Sequence, residues 1–597
     1  MIQISNKIDC CGCNACGDVC GQHAISFKTD NEGFWYPEVD MQKCTDCHLC
    51  EKVCPIINVS ELKKNDLPQS VCYAAEHKNL EVVFDSTSGG LFSALADVMY
   101  KSGGFVGGAV FNDDFSVRQY ISNDKKDLPR LRSSKYLQSH LDGFYKQVRD
   151  ILKAGDKVLV CGSPCQMAAL RAFLRKDYEN LIIADYICRG INSPKVWRKY
   201  LDSYEERYGS KVVYCKAKSK EYGWRNLTQK VILENGKAYY ETKDQSNFTK
   251  GYLRTGAYCR PSCYDCKFKG YPRIADITLA DFWGIENVDK SMEKNLGTSL
   301  VMINSQKGKV YFEQVKKRIN YVEVPFNSIE AGNRSLNLSV EPPKVDRVQF
   351  FRDLDSLSFP QLAEKYHFDG HVTTKHKIKE LAKYLYIVLK STRLRIKPLY
   401  LFFRYNSFSE IVHRNVIVPT PYTVIDIRKN GIIKKKGVTV IGAKKFPTSK
   451  LETRILVDEN AIIEFNGSST IGYGADIEAH PNSHIKFGEG IGTNIGLTII
   501  CQERVVIGNH TMLGRNVTIR DNNGNHYMNR QGYKNTRPVV IGDKVWITEQ
   551  CTIMPGVTIG DGAIIGALSL VIRSVPANSL VSGNPAEVID EDILWKY

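Results

Sequence analysis

From Ile541 onward aliphatic residues return at every sixth position: Ile541, Ile547, Ile553, Ile559, Ile565 and Val571. The same count relates Ile507, Leu513 and Ile519, and before them Ile471 and Ile477. Six is neither the period of an open strand nor that of a helix, and it predicts the short flats and turns of a left-handed parallel β-helix. Gly472, Gly508, Gly542 and Gly560 each follow an aliphatic position, where a tight turn is expected. Upstream the pattern changes. Leu91, Phe92, Ala94, Leu95, Ala96 and Val98 form an apolar run that predicts a helix behind a glycine loop, and Lys157–Val160 reads as a strand. Ile378, Leu381, Leu385, Val388 and Leu389 recur at helical spacing, and Leu399, Leu401, Phe402 and Phe403 follow Pro398. Apolar stretches stay under about a dozen residues, too short to span a bilayer.

A chain of 597 residues exceeds what one core supports. Four zones follow: a cysteine-rich module at 1–57, an α/β block at 70–340, a basic helical connector at 341–417 and the coil at 418–597. The formal charge of +16 raises a nucleic-acid reading, yet no zinc-finger spacing and no basic region running into heptads occurs, so no nucleic-acid partner is expected. Much of the excess is local: Lys375, Lys377, Lys379, Lys383, Lys390, Arg393, Arg395, Lys397 and Arg404 stand against Glu380 alone. Such a basic amphipathic element suits an interdomain helix packed on a neighbour first, and otherwise a peripheral contact with an anionic membrane or a phosphorylated lipid carrier. A cytoplasmic enzyme is the expectation, with the inner face of the cytoplasmic membrane as the alternative place.

Nine cysteines fall within the first 54 residues, and eight form two CxxCxxCxxxC runs: Cys10, Cys13, Cys16, Cys20 and Cys44, Cys47, Cys50, Cys54. Zinc sites need only paired CxxC elements, which leaves the later cysteines of each run unexplained. Disulfides are disfavoured because no apolar signal segment precedes the run. The spacing resembles the bacterial two-cluster ferredoxins, a small α+β module. On that resemblance Cys10, Cys13, Cys16 and Cys54 hold one 4Fe-4S cluster, and Cys44, Cys47, Cys50 and Cys20 the other. Cys11 is left over.

Cubane clusters move single electrons, so a domain working in two-electron steps needs a converter, and flavin is the usual one. The 70–340 block has no GxGxxG. It offers instead Ser86–Gly90 before a helix, where backbone N–H groups can meet a phosphate. SSKYLQS at 133–139, CGSPCQ at 161–166 and ADITLADFWG at 275–284 add to it, the second standing where open α/β sheets bind ligands. Cys259, Cys263 and Cys266, with Cys188, Cys161 or Cys165 as the remote thiol, can complete a third 4Fe-4S site; zinc and buried reduced cysteines are the alternatives.

With ICRG at 187–190, CRPSCYDC at 259–266 and Gly297–Ser299, these stretches resemble the beta subunit of deazaflavin-coenzyme-reducing hydrogenase and its relatives over residues 75–310. The resemblance implies FAD or FMN beside an iron–sulfur cluster, with flavin contacts at Ser88, Gly89, Gly90, Lys135, Gly162 and Gln166. It makes Cys188, Cys259, Cys263 and Cys266 the preferred cluster ligands. Lys135 and Asp281 are the candidates for catalysis, the lysine by stabilising charge on the reduced ring and the aspartate by donating a proton. A surface lysine and a helix cap are the plain alternatives. Ala280 stands where a family member carries glycine.

Over residues 430–590, Val539–Gly542, Trp546, Pro555–Gly560 and Ser582–Ala586 resemble the hexapeptide-repeat acyltransferases. That implies a homotrimer transferring acetyl from acetyl-CoA to a sugar hydroxyl or amine, with the donor between coils near Trp546 and the backbone of Ile547. The chain lacks the glycine usual after the Trp546–Ile547 pair. The repeat breaks at the polar loop Asp521–Arg530, where His526 is the candidate general base and Asp521 its orienting partner; His510 and His484 are alternatives. Together the zones predict a bifunctional iron–sulfur flavoenzyme, fed by an external low-potential donor and acetylating a sugar nucleotide or lipid-linked glycan in cell-surface polysaccharide biosynthesis. Two other readings stay open: a flavin reductase whose coil only drives trimerisation, and an electron-carrier or redox-sensing scaffold.

Overall fold

Both cysteine runs fold alike. Asn14 and His48 each follow the second cysteine of their run, take left-handed conformations (φ 61° and 57°) and turn the chain into the short helices Ala15–Val19 and Leu49–Lys52. Between the runs lies the antiparallel hairpin Ile25–Thr29 with Trp35–Val39. The structure is a computed structural model that describes residues 1–62, 66–369, 374–446, 448–524, 526, 531–593 and 595, with residues 374–380 described by their backbone alone. The chain divides into two units, Met1–His371 and Val372–Lys596.

In the first unit, nine strands among the described residues form a mixed sheet in the order Ile319–Val324, Val71–His77, Ser299–Ile303, Ile277–Asp281, Leu181–Tyr186, Val158–Gly162, Phe105–Phe111, Val117–Ser122, Ser139–His140. Its centre is parallel, Phe105–Phe111 through Ile277–Asp281. Strands covered on both faces are read as near-continuous apolar runs, and Val158, Leu159, Val160 and Leu181, Ile182, Ile183 are all buried. The cysteine module docks on this sheet through named contacts. Asp18 accepts N–H bonds from Gly143 (2.8 Å) and Tyr145 (3.1 Å) and so caps the helix Phe144–Lys153 from outside its own segment, worth ~1 kcal/mol. Trp35 stacks on His140 with ring centroids 4.1 Å apart, and Arg347 grips Glu32 at 2.9 and 2.8 Å. The helices Arg347–Ser356 and Phe359–Lys365 bury Phe350, Phe351, Leu354, Phe359 and Leu362 in the same unit.

The second unit is a three-faced coil of sheets with nine, seven and six strands among the described residues, parallel except where Leu580–Gly583 pairs antiparallel with Ala586–Asp590. The six-residue series lines its core: Ile471, Ile477, Ile507, Leu513, Ile519, Ile541, Ile547, Ile553, Ile559, Ile565 and Val571 are all buried. Gly472, Gly508, Gly542 and Gly560 lie outside the positive-φ glycines. Their requirement is close stacking of turns: a Cβ on Gly508 would come within 2.4 Å of the Gly542 carbonyl. The helices Thr374–Thr392 and Ile396–Tyr405 cover the start of the coil, where Tyr384, Val388 and Phe402 pack on Val416 and Val418. Among the described residues no helix is long and apolar enough to cross a membrane.

Candidate functional site

All nineteen cysteines are free. Cys10, Cys13, Cys16 and Cys54 line one hollow with Ile2, Ile4, Phe27, Pro37 and Ile56. Burial pushes the Cys16 thiol well up, and Cys13, Cys10 and Cys54 push it further, because thiolates confined together repel. Of the second predicted set, the Sγ atoms of Cys20 and Cys50 accept N–H bonds from Ala24 (3.3 Å) and Ile2 (3.2 Å), and Cys47 is exposed. Among the described residues no three Cys, His, Asp or Glu side chains close around a single ion. A cubane takes its thiolates at the corners of a cage, and a dry hollow whose thiols raise one another's pKa fits that donor set.

Cys188 lies near Cys259, Cys266 and Cys165, and Cys263 near Cys259, Cys188 and Cys165. Burial raises all four of Cys188, Cys259, Cys263 and Cys266, Cys259 to about 11. Gly190 holds the space beside them, since a Cβ there would lie 2.9 Å from Cys259 Sγ. Arg189, Arg347 and Lys269 supply positive charge around Cys259. Cys161 has Asp185 as its charged neighbour instead, whereas Cys165, at the start of the helix Pro164–Leu174, is held down by hydrogen bonds from Cys11 and Ser163.

The motif-bearing stretches of the sheet meet at one edge. Asp281, Ser299 and Ala75 stand in register across three strands. Gly89 donates to Ser299 Oγ (2.9 Å) and Ser88 Oγ to Thr298 O (2.9 Å); a Cβ on Gly89 would strike Ala75 O at 2.4 Å. Gly90, at φ +85°, opens the helix Leu91–Lys101. A Cβ on Gly297 would lie 3.0 Å from Lys220 Nζ, 3.1 Å from Trp224 Cδ1 and 3.2 Å from the Ser88 carbonyl carbon, so these four residues converge. Trp224 and Trp283 stack with centroids 4.4 Å apart and planes 2° apart. Gln166 caps its helix by accepting from Ser163 N (3.1 Å) and reaches Ser139 Oγ (2.8 Å), joining two of the predicted stretches; Gly162 packs under it.

Lys135 and Asp281 are not brought together. Lys135 Nζ donates to the carbonyls of Arg130 (2.8 Å), Leu131 (3.3 Å) and Arg132 (2.8 Å), closing the helix Leu128–Leu131; burial lowers its pKa, against the pull of Asp85. Asp281 pairs with Lys218 at 2.6 Å. Burial works against the Lys218 charge, but Asp281 and Tyr136 outweigh it and hold the ammonium above its ordinary pKa. Asp281 Oδ1, Trp224 Nε1, Ser86 Oγ and Glu221 Oε2 are buried with no hydrogen-bond partner. Buried polar atoms left without partners call for a polar group to complete them.

In the coil Asp521 is wholly buried, and its carboxylate accepts from Gln502 N (2.8 Å), Glu503 N (2.7 Å) and Arg504 N (2.7 Å). It fixes the base of the polar loop. His526 is exposed on that loop, where its carbonyl accepts from Tyr533 OH (3.4 Å). Asn525 and residues 527–530 of the loop lie outside the described residues. His484 meets Glu464 at 3.2 Å, and burial lowers His510. Trp546 is 41% exposed and lies 5.7 Å from Trp595.

Three families match the chain: the 4Fe-4S dicluster domain at 9–57, the C terminus of the coenzyme F420 hydrogenase/dehydrogenase beta subunit at 155–328, and the bacterial transferase hexapeptide at 538–573. WbbJ of Escherichia coli (strain K12), named as a lipopolysaccharide biosynthesis O-acetyl transferase, is 31% identical over 149 residues, 22% of this chain and 76% of that protein. The coil belongs to the hexapeptide-repeat transferases. The galactoside O-acetyltransferase of the same organism is 37% identical over 111 residues, 18% of this chain and 55% of that protein. This chain thus spans about half the length of several hexapeptide-repeat relatives. A chain of the F420-reducing [NiFe] hydrogenase complex from Methanosarcina barkeri is 17% identical, covering 50% of this chain and 94% of that one with a TM-score of 0.32. The protein is a fusion of a dicluster module, a hydrogenase-beta-type domain and a hexapeptide-repeat transferase unit.

Ahead of the hexapeptide-repeat transferase unit, the sequence motifs leave out Lys216, Lys218 and Lys220. Alternation at strand period is the signal that marks them, since Lys216 and Lys218 share one face of the strand Val212–Ser219 and Lys220 extends the row. Lys216 reaches Asp85 Oδ1 (2.8 Å) and Lys220 reaches Ser88 O (2.6 Å). Arg260 lies inside the CRPSCYDC stretch at 259–266, where the cysteines alone suggest a role.

Proposed function

We propose that the first unit is an iron–sulfur flavoprotein reductase and that the hexapeptide-repeat transferase unit moves acetyl from acetyl-CoA to a glycan hydroxyl or amine, as a trimer. The convergence of Ser88, Gly297, Lys220 and Trp224 at one sheet edge carries the first half. A bound FAD or FMN would supply the conversion of single electrons into a two-electron reduction. Ser88, Gly89 and Gly90 would present the helix start to its phosphate, Trp224 and Trp283 would offer the aromatic wall, and Lys218 would hold positive charge where the reduced ring or its acceptor turns anionic. Asp281 keeps that lysine charged. Cys188, Cys259, Cys263 and Cys266 would hold a third cluster beside it. For the transferase half, the support is the relationship to O-acetyltransferases together with exposed His526 on a loop whose base Asp521 locks.

Anaerobic preparation followed by denaturation decides the first half. Released yellow flavin, with iron and sulfide enough for more than the two clusters of the dicluster module, is the expected result. Colourless protein retaining only two clusters would sink it. Transfer of labelled acetyl to glycan acceptors tests the second half, and no transfer to any hydroxyl or amine acceptor would sink that.

A further inference from the structure

Arg260 is the largest wholly buried side chain among the described residues. Its Nε donates to Cys10 O (2.8 Å), Nη1 to Gln138 Oε1 (2.9 Å) and Nη2 to Trp35 O (3.0 Å), with Nη2 3.5 Å from Cys10 Sγ. The guanidinium lies over the Tyr36 ring at 4.2 Å and near the Phe34 ring at 5.5 Å. Every one of these partners is neutral or a thiol, and among the described residues no Asp or Glu pairs with Arg260. A guanidinium taken out of water without a counter-ion is strongly disfavoured, so this site calls for a negative group.

The chain has been shaped to admit it. Gly12 sits at φ +71°, and a Cβ there would lie 2.4 Å from Gln138 Nε2 and 2.8 Å from Arg260 Cζ. Only glycine lets the guanidinium lie flat against the cysteine loop. The negative group within reach is the thiolate set to which Cys10 belongs. A 4Fe-4S cluster with four thiolates is anionic in both oxidation states and more so when reduced.

We propose that the cluster held by Cys10, Cys13, Cys16 and Cys54 is the counter-charge of Arg260, and that Arg260 raises its reduction potential above that of the outer cluster, so that electrons run inward. This rests on those four thiolates sharing one cluster. The outer set holds the exposed Cys47, so an external one-electron carrier of low potential meets it first. That carrier would give up one electron, which the set holding Cys47 would receive and the set holding Cys10 would accept from it; no atom moves. Arg260 directly follows Cys259, and its backbone N–H bonds Ile191 O (2.8 Å), so the same residue ties the inner thiols to the third thiol group. It acts as a tuning residue through the cluster's charge.

The test is a redox titration followed by electron paramagnetic resonance on anaerobically prepared full-length protein, native and with Arg260→Met or Arg260→Lys. In Arg260→Met one cluster signal becomes harder to reduce, its reduced-to-oxidised ratio at fixed potential falling about tenfold, equal to about 59 mV for one electron. The other dicluster signal stays in place, and Arg260→Lys recovers most of the shift. Full iron content with no signal moving more than about twofold overturns the proposal. If Arg260→Met loses iron, Arg260→Lys decides: retained iron at near-native potential supports the charge, and loss there too assigns a packing role and overturns it. Cys54→Ser checks the foundation, because unchanged signals in that variant remove the thiolate assignment itself.

Discussion

Lys218 Nζ stands 2.6 Å from Asp281 Oδ2, with 16% and 13% of the two side chains exposed, at the end of the strand that carries ADITLAD. The pair joins a residue that the motif announces to one that it does not.

Breaking that pair from either side should be costly and non-additive. Lys218→Met removes the cation that lies over the Tyr136 and Trp283 rings and leaves Asp281 without its partner, and a loss of about 3 kcal/mol is expected. The double variant Lys218→Met/Asp281→Leu should cost less than the sum of the singles. Denaturant titration followed by fluorescence of the Trp224–Trp283 stack measures the coupling, and strictly additive effects would remove it.

Gly190→Ala places a methyl group 2.9 Å from Cys259 Sγ. Iron of the third site should be lost while the dicluster signals persist, and Cys263→Ser should behave in the same way. Full iron in both variants would be evidence against a cluster there.

His526→Ala should lower acetyl transfer by about 10²- to 10⁴-fold with little change in the KM for acetyl-CoA, the loss typical of a general base. Asp521→Ala should act differently, lowering stability because three backbone N–H groups lose a charged acceptor, by about 3 kcal/mol. Native transfer rates in His526→Ala would reassign the base.

Burial depresses the His510 pKa from its ordinary 6.5, with Glu489 and Asp543 opposing. The unfolded chain therefore binds the proton more readily, so His510 contributes stability that is present above that value and lost as pH falls through the lower folded pKa. The melting temperature of the coil should drop on acidification through that window, less steeply in His510→Asn, whose side chain suits the φ of 54°. Parallel pH curves for the two proteins would contradict this.

Among the described residues, eleven exposed large apolar side chains fall between Leu381 and Val412, including Leu385, Leu389, Ile396, Phe403 and Phe408. Lys383, Lys390, Arg393, Arg395, Lys397 and Arg404 are interleaved with them on exposed positions; the side chains of Lys375, Lys377 and Lys379 lie outside the described residues. Membrane contact and interdomain packing, the two readings of this element, part here: on an anionic surface each nearby basic residue would contribute ~1 kcal/mol. Protein should sediment with phosphatidylglycerol vesicles, be released by salt, and fail to bind as Ile396→Glu/Phe403→Glu. Equal binding to neutral phosphatidylcholine vesicles would argue against it.

Periodicity and spacing determined much of this protein. A six-residue apolar repeat can bury its side chains only by coiling, so Ile541 to Val571 disclosed the second unit, and two CxxCxxCxxxC runs disclosed the dicluster module, because ligand spacing is local. What tertiary structure decided was non-local. Asp281 met Lys218 only once the strand Val212–Ser219 had folded beside it, and Asp521 turned inward because its partners come from the preceding turn of the coil. The coil glycines showed the same division: their places were visible in the sequence, but their reason, the close approach of the next turn, exists only when turns stack. Arg260 follows Cys259 in the chain and meets Cys10 across 250 residues, a contact that folding alone creates.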